Sequence, residues 1–239
     1  MGWGDTPLFY IVRILTNLQY ASGCVIILLG DNMKRFKKIL ISVVVALSAL
    51  MACIAFGLGI IHITGFIYDI DLEVLDIPEN SGYSKDLGLE NYDYVMDYLA
   101  PFNDEEFELP SMRYSEVGSV HFEDCRVLFN IIYLIGAVCF IILVLTLIFI
   151  KDRVIYKLSG ILTLGLPLSV GLAIMINFEW AFTLFHKILF NDQNWIFDPR
   201  YDPIISILPA EFFMHCGLFI ALVVVLGAFG LFIRGCVKK

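Results

Sequence analysis

Four long runs of apolar residues dominate the hydropathy pattern of the chain. They cover residues 39–67, 127–150, 158–177 and 212–233. Each run has about 20 residues or more, which is the length an α-helix needs to cross the ~30 Å hydrocarbon layer of a bilayer. With their flanking residues they predict transmembrane helices at residues 33–67, 127–150, 158–186 and 212–233. The pattern predicts an α-helical integral membrane protein with a four-helix bundle.

The overall composition excludes an ordinary soluble domain. Apolar residues make up 59% of the chain, and the mean hydropathy is +0.81, whereas soluble domains contain roughly 45–50% apolar residues. The six cysteines form no Cys-x-x-Cys pair. A disulfide framework or a thiolate metal site is therefore not expected.

Basic residues are grouped beside the predicted spans and predict their orientation. The three groups lie at residues 34–38, 151–157 and 234–239. Lys and Arg next to short loops mark the cytoplasmic side of a membrane, and four spans place all three groups there. The segments 68–126 and 178–211 then face the extracytoplasmic side. The first of them carries most of the acidic residues behind the net charge of −8.

The acidic segment 68–126 predicts a small extracytoplasmic α/β cap between the first two spans. Residues 67–74 alternate apolar and polar positions, which is typical of a half-buried strand. Residues 91–99 have helical spacing, and residues 107–109 and 116–120 are short strand-like pieces. The acidity of the cap is explained more simply by a solvated exterior than by a docking surface for a basic partner.

One further segment precedes the predicted bundle, and another connects its last two spans. Residues 1–32 hold an apolar stretch interrupted by Arg13, Asn17 and Gln19, which suits a fifth span or an interfacial helix. Because Met33 precedes a basic group and an apolar run, we interpret residues 1–32 as an N-terminal extension from a mis-assigned start. Residues 187–211 combine two Asp-Pro steps with four aromatic residues and predict a loop at the membrane interface.

All four histidines fall near the extracytoplasmic ends of predicted spans. They are His62, His121, His186 and His215. Ionisable side chains at this depth are functional candidates, because leaving them unpaired in an apolar layer is costly. Asp124 is three residues from His121 and is expected to orient its imidazole. His62 and His215 are better explained as interfacial residues bonded to carbonyls or headgroups.

Common nucleotide and protease motifs are absent from the sequence. It contains no P-loop, no Rossmann glycine pattern, no His-Glu-x-x-His and no Gly-x-Ser-x-Gly. We therefore expect no cofactor, no metal and no nucleic-acid partner. As a membrane protein, it is expected to contact membrane phospholipid.

Three segments together resemble the lipoprotein intramolecular transacylase family of bacterial membrane enzymes. They are residues 94–99, residues 116–129 with Glu116 and His121, and residues 182–213 with His186. The resemblance covers the chain from about Met33 onward. Cys125 stands where an aliphatic residue is expected, and from the sequence alone we expect this departure not to touch the proposed chemistry.

The resemblance implies an enzyme that acts on a diacylglyceryl lipoprotein. Such enzymes move the sn-2 acyl chain of an S-diacylglyceryl cysteine onto the α-amino group of the same cysteine, giving a lyso-form lipoprotein in the bacterial cell membrane. The resemblance implies His121 and His186 as the catalytic residues. The supporting or substrate-binding residues we expect are Glu116, Asp124, Arg126, Asn194, Trp195, Asp198 and Asp202.

The residues alone also allow two other functions. One is a non-enzymatic membrane sensor or assembly factor whose acidic cap binds a partner. The other, weaker alternative is a haem or quinone redox protein. No two histidines are three or four residues apart, so the sequence offers no pair of metal ligands on one helix face. Substitution of His121 or His186 separates the enzyme from the sensor.

Overall fold

The chain folds into helices arranged as a membrane bundle with a helical cap at one end. The computed structural model describes the backbone of residues 7–190 and 192–237, and the side chains from residue 32 onward. The helices are α1 (Pro7–Thr64), α2 (Phe66–Val74), α3 (Ile77–Ser81), α4 (Lys85–Tyr98), α5 (Glu116–Phe149), α6 (Arg153–Thr163), α7 (Gly165–Ile176), α8 (Phe178–Leu189), α9 (Ile204–Ile207) and α10 (Ala210–Cys236).

Four helical stretches among the described residues are long and apolar enough to cross a membrane, as the sequence predicts. They are the Asn32–Thr64 part of α1, all of α5, α6 with α7 (Arg153–Ile176), and α10. Many of their large apolar side chains point outward, among them Leu134 and Phe149. The proposed extension at residues 1–32 lies almost wholly outside the described side chains, and its interpretation stays a prediction.

The bundle is tightly packed at the end that carries the basic groups, here called the basic end. The Ser159 hydroxyl donates to the carbonyl oxygen of Ser42 at 3.0 Å and so joins α6 to α1. Thr163 makes a similar bond to Ala46. Gly160 leaves no room for a Cβ against the backbone of α10. Hydroxyls bonded to carbonyls and close backbone approach stabilise helix pairs in lipid.

The third span is broken once between α6 and α7, and it ends at Asn177, where α8 begins as a separate helix. Pro167 has no N–H and its ring clashes with the carbonyl four residues back, which explains the break between α6 and α7 at Leu164. At Asn177 the backbone becomes extended, and the Asn177 side chain accepts a hydrogen bond from the Trp180 amide at 2.9 Å. Asn177 thus ends α7 and caps α8 as a separate helix.

The cap between α1 and α5 is helical, so the predicted α/β cap is wrong. It consists of α2, α3, α4 and a loop that leads into α5, and none of its described residues forms a strand. Gly65 connects α1 to α2 with φ at +61°, a left-handed conformation that favours glycine. The helix that the spacing at residues 91–99 predicts is present as the second half of α4.

The strand predictions failed for physical reasons that differ between segments. In α2 the buried side chains are Ile67, Tyr68, Asp71 and Leu72, which is helical spacing, while Ile70 is exposed. The strand prediction assumes that the apolar positions are buried and the polar ones exposed. In α2, Asp71 is buried and Ile70 is exposed, so this assumption fails. Residues 116–120 begin α5, and residues 107–109 belong to the loop before it and form no strand.

An aromatic cluster and one hydrogen-bonded pair of side chains attach the cap to α10. The rings of Tyr68 and Tyr92 stack at 3.8 Å, and Phe212 of α10 packs edge-on against both. His215 Nδ1 donates to both carboxylate oxygens of Asp71, at 2.8 and 3.0 Å. The cap therefore covers the end of the bundle opposite to the basic end, here called the cap end.

Candidate active site

Two histidines meet at the cap end across the space between α5 and α8. His121 lies in the second turn of α5, and His186 lies in the last turn of α8. Their ring centroids are 6.0 Å apart, and each residue is only 8% exposed. The other two histidines have different partners, since His62 bonds to the Tyr133 hydroxyl and His215 to Asp71.

His121 is held among aromatic rings with one of its ring nitrogens unused. Phe190 and Phe197 pack edge-on against its imidazole at 4.9 and 5.5 Å. Its Nε2 faces the Cys125 sulfur at 3.5 Å. Its Nδ1 is buried and has no hydrogen-bond partner among the described residues. A buried polar atom without a partner is costly, so Nδ1 is a candidate contact for a ligand.

The tautomer of neutral His186 follows from its hydrogen bond. Its Nδ1 lies 2.8 Å from the carbonyl oxygen of Phe182, and a carbonyl only accepts, so Nδ1 carries the hydrogen. The ring stacks on Trp195 at 4.8 Å. Burial lowers the pKa of His186 below its ordinary value, while the bond to Phe182 offsets part of this shift. A neutral imidazole with a free Nε2 can accept a proton.

Two cavities adjoin the histidines and share Phe190 and Asp192. The α8 cavity has a volume of about 480 Å³ and a mixed lining of Thr183, Lys187, Phe190, Asp192, Gln193, Trp195 and Ile196. The α5 cavity has a volume of about 260 Å³ and is lined by Asp124, Val127, Leu128, Ile131, Leu189, Phe190 and Asp192. The α5 cavity reaches the outward surface of the bundle, where Val127 and Ile131 are exposed. The site thus combines a cavity of mixed lining with one whose lining is apolar except for Asp124 and Asp192.

The predicted hydrogen bond from Asp124 to His121 is wrong. The described partner of His121 is Cys125, one residue further along α5, and Asp124 lines the α5 cavity instead. Arg126 is also oriented toward the cap, because its guanidinium donates to the Glu105 carbonyl at 2.6 Å and lies over the Tyr98 ring at 4.4 Å. Five positions after His121, it projects from another side of the helix.

Of the remaining predicted supporting residues, Trp195 contacts His186 directly. Asp202 is buried and accepts hydrogen bonds from the amide and hydroxyl of Ser115, just before α5. Asp198 is bound by Arg200, whose guanidinium lowers the pKa of that carboxyl to about 2. Glu116 is exposed in the first turn of α5, and the Asn194 amide donates to Asp192.

Sequence reasoning did not select Asp192 and Phe190, which line both cavities. Asp192 belongs to a short polar run, and Asp and Asn in such runs usually indicate a turn. It does form one, because its carboxylate accepts from the Asn194 amide at 2.9 Å. Phe190 lacks any distinguishing signal in a chain with 20 phenylalanines. Only the folded arrangement places the two beside the histidines.

Comparison with known proteins identifies the family. The model of lipoprotein intramolecular transacylase Lit matches residues 9–213, well over half of the chain. The chain belongs to the lipoprotein intramolecular transacylase family. It is an acyltransferase and a multi-pass membrane protein.

Solved structures of a family member have the same fold. The membrane-integral lipoprotein intramolecular transacylase Lit from Bacillus cereus is 33% identical, with a TM-score of 0.76 over 83% of this chain and 94% of that one. A variant of it with one histidine replaced by alanine gives a TM-score of 0.74 at 32% identity, over 86% and 94% of the two chains.

One similar sequence covers a smaller part of this transacylase. A protein of Aquifex aeolicus described as uncharacterised is 40% identical over 65 residues. The match spans 27% of this chain and 29% of that protein. It therefore adds a likeness in sequence but no information on activity.

Proposed function

We propose that this transacylase moves the sn-2 acyl chain of an S-diacylglyceryl cysteine onto the α-amino group of the same cysteine, with His121 and His186 as its catalytic residues. The observation that carries the proposal is the buried pair of imidazoles, whose ring centroids are 6.0 Å apart, next to two cavities that share Phe190, a residue in contact with both rings. The two imidazoles can donate and accept protons, and they lie close to a cavity that suits a lipid chain. Amine and ester belong to one molecule, which supplies proximity without a second substrate.

His186 acts as the general base in this mechanism. Its Nδ1 donates to Phe182, so that in the neutral ring Nε2 is available to take a proton. Burial favours that neutral form. The α-amino nitrogen attacks the sn-2 carbonyl carbon, gives a proton to His186, and forms the amide as the bond to the glycerol oxygen breaks. His186 then returns this proton to the departing glycerol oxygen, while the N–H of His121 donates a hydrogen bond to the carbonyl oxygen of the ester.

Carboxylates attract the amino group before it reacts. An α-ammonium group is positively charged below a pH of about 8, and Asp192 and Asp124 both line the α5 cavity. They favour binding of the ammonium form, which loses one proton to solvent before the neutral amine attacks and gives its second proton to His186. Both carboxylates line this cavity together with Phe190, which contacts both histidine rings.

The acyl chains occupy the apolar α5 cavity and the lipid beside it. Val127, Leu128 and Ile131 supply its wall on α5, and Leu189 supplies the opposite wall. The α8 cavity, with Lys187, Gln193 and Thr183, receives the polar glycerol and peptide groups. This division matches the amphipathic substrate.

The site faces the extracytoplasmic side in this proposal. Lys38, Arg153 and Arg234 lie toward the basic end, which the distribution of Lys and Arg assigns to the cytoplasm. The histidine pair lies at the cap end, and therefore next to the outer leaflet. Lipid-anchored extracytoplasmic proteins carry their modified cysteine in that leaflet.

Tandem mass spectrometry tests the reaction and both histidines together. A diacylglyceryl lipopeptide with a free amino-terminal cysteine is incubated with the purified full-length protein in detergent. The transfer makes an isomer, so the fragments are compared rather than the parent mass. We expect an acyl chain on the cysteine nitrogen with the wild type and none with His121→Ala or His186→Ala.

His62→Gln is the matched control, because His62 contacts Tyr133 and Met96 and lies outside the pair. We expect it to retain activity. Unchanged lipopeptide after incubation with folded wild type would contradict the proposed reaction. N-acylation by folded His121→Ala and His186→Ala would contradict the assignment of the two histidines.

A further inference from the structure

The Cys125 thiol faces the histidine that the proposed mechanism uses. Cys125 follows His121 by four positions on α5, which puts both side chains on one face of the helix. The sulfur lies 3.5 Å from Nε2 of His121. We infer, on the basis of the proposed function, that Cys125 is a positioning residue that holds His121 in its neutral Nδ1–H tautomer, with that N–H directed to the ester oxygen.

The chemistry of the two groups sets the direction of this hydrogen bond. A thiol is a weak donor and its sulfur a weak acceptor, whereas the unprotonated nitrogen of an imidazole is a good acceptor. The favoured arrangement is therefore S–H of Cys125 donating to Nε2 of His121. Nε2 then has no hydrogen, and the neutral ring carries its hydrogen on Nδ1.

The surroundings of Nδ1 indicate what it binds. It is buried and has no hydrogen-bond partner among the described residues. The rings packed around His121 are those of Phe122, His186, Phe190 and Phe197. Phenylalanine rings offer no strong acceptor, and a buried donor without an acceptor is costly. The ester of the substrate supplies carbonyl and glycerol oxygens, which are the acceptors that an N–H requires.

The proton balance closes with His121 neutral throughout. His186 takes the proton that the α-amino nitrogen loses as the new C–N bond forms. The ester C–O bond breaks, and the same proton passes from His186 to the glycerol oxygen. His121 Nδ1–H stabilises the negative charge on the carbonyl oxygen by a hydrogen bond and keeps its proton. Cys125 also keeps its proton and forms no bond to the acyl group.

Replacement of Cys125 by valine or by serine separates the hydrogen bond from packing. Cys125→Val removes the donor and keeps an apolar side chain, while Cys125→Ser keeps an O–H donor. Cys139→Val, on the same helix and without a contact to His121, is the matched control. For each full-length variant, kcat and KM are measured with the lipopeptide. NMR with isotope-labelled histidine in lipid bilayers gives the tautomer of His121, whose signals are identified by their loss in His121→Gln.

We expect the wild type and Cys125→Ser to have the Nδ1–H tautomer. Cys125→Val should show a mixture of tautomers and a kcat lowered about fivefold to tenfold, the rate equivalent of one hydrogen bond, with an almost unchanged KM. Cys125→Ser should recover most of kcat, and Cys139→Val should match the wild type.

Three results would overturn the role of Cys125. They are an Nε2–H tautomer in the wild type, wild-type kcat in Cys125→Val, or an equal loss in the serine and valine variants with an unchanged tautomer. The proposed function fails by a different result, which is N-acylation by folded His121→Ala or His186→Ala. If those two variants are inactive while Cys125→Val is fully active, only the inference about Cys125 is wrong.

Discussion

The carboxylate of Asp202 binds Ser115 twice, accepting from its backbone amide at 2.7 Å and from its hydroxyl at 2.8 Å. Ser115 in turn caps α5 by accepting from the Gly118 amide. No room remains for a Cβ on Gly118 beside Asp202. A negative charge at the N-terminus of a helix is stabilising. The loop after α8 is thereby joined to the helix that carries His121.

Asp202→Ala should destabilise the protein and lower its activity. The change leaves the Ser115 amide and hydroxyl without their buried acceptor, which costs about 2–4 kcal/mol for two bonds to a charged group. Thermal unfolding in detergent should show a lower midpoint. Asp198→Ala is the control, because Asp198 bonds its exposed neighbour Arg200. Equal midpoints for the two variants would show that the Asp202 contacts do not stabilise the site.

Activity should fall on acidification with a midpoint below pH 6.5. Burial lowers the pKa of His186 from its ordinary value of 6.5, so its neutral form persists into mildly acid solution. Protonation of Nε2 then removes the general base. The check is the initial rate of N-acylation across about pH 5–8, the range in which histidines titrate. The α-amino group of the substrate titrates at about pH 8 and gives a separate, higher step. The absence of a further loss of activity centred below pH 6.5 would contradict the assignment of His186 as the base.

Removing the imidazole of His215 should weaken the attachment of the cap. Asp71 is 1% exposed, and its carboxylate would lose the donor that binds both of its oxygens. We expect His215→Ala to lower stability by about 2 kcal/mol, since a hydrogen bond to a buried charge is lost. Asp71→Asn with His215→Ala should be more stable than His215→Ala alone, because no unpaired charge is buried. Equal thermal midpoints for these two variants would contradict this.

Filling the α5 cavity should discriminate between acyl chain lengths. Ile131→Trp adds a large side chain to the cavity wall. We expect a KM raised about tenfold for a lipopeptide with long acyl chains, the equivalent of about two methylenes excluded from an apolar site. A short-chain lipopeptide should be almost unaffected. Leu134→Trp, on the exposed surface of α5 outside the cavity, is the control, and a similar effect there would argue against acyl binding in the cavity.

The four spans follow from the sequence because hydrophobicity and length alone decide whether a helix crosses a membrane. The cap was harder to predict, because its helices depend on contacts with distant residues. Burial of Asp71 is possible only because His215, 144 positions later, binds it. No local pattern shows such a pairing, and the strand prediction for α2 assumed that this carboxylate is exposed.

His121 and His186 lie close together, but the partners of each were not predictable from spacing. Asp124 and Cys125 are both within one turn of His121, and helical spacing allows either to contact it. The rotation of α5 against α8 decides between them, and it depends on packing. For the same reason Asp192 was indistinguishable from other turn residues until its position beside Phe190 was seen.

The α5 cavity is open toward the outward surface of the bundle. In the proposed mechanism, this opening leaves the size of the protein that carries the lipid without a limit. Val127 and Ile131 form its wall and are also part of the outward surface of α5. Under this proposed mechanism a lipid chain therefore enters by lateral diffusion and leaves the same way. No polypeptide has to be threaded through the enzyme. A short peptide and a large folded domain can present the same lipidated cysteine to the histidine pair, and the rest of the molecule stays in the aqueous phase.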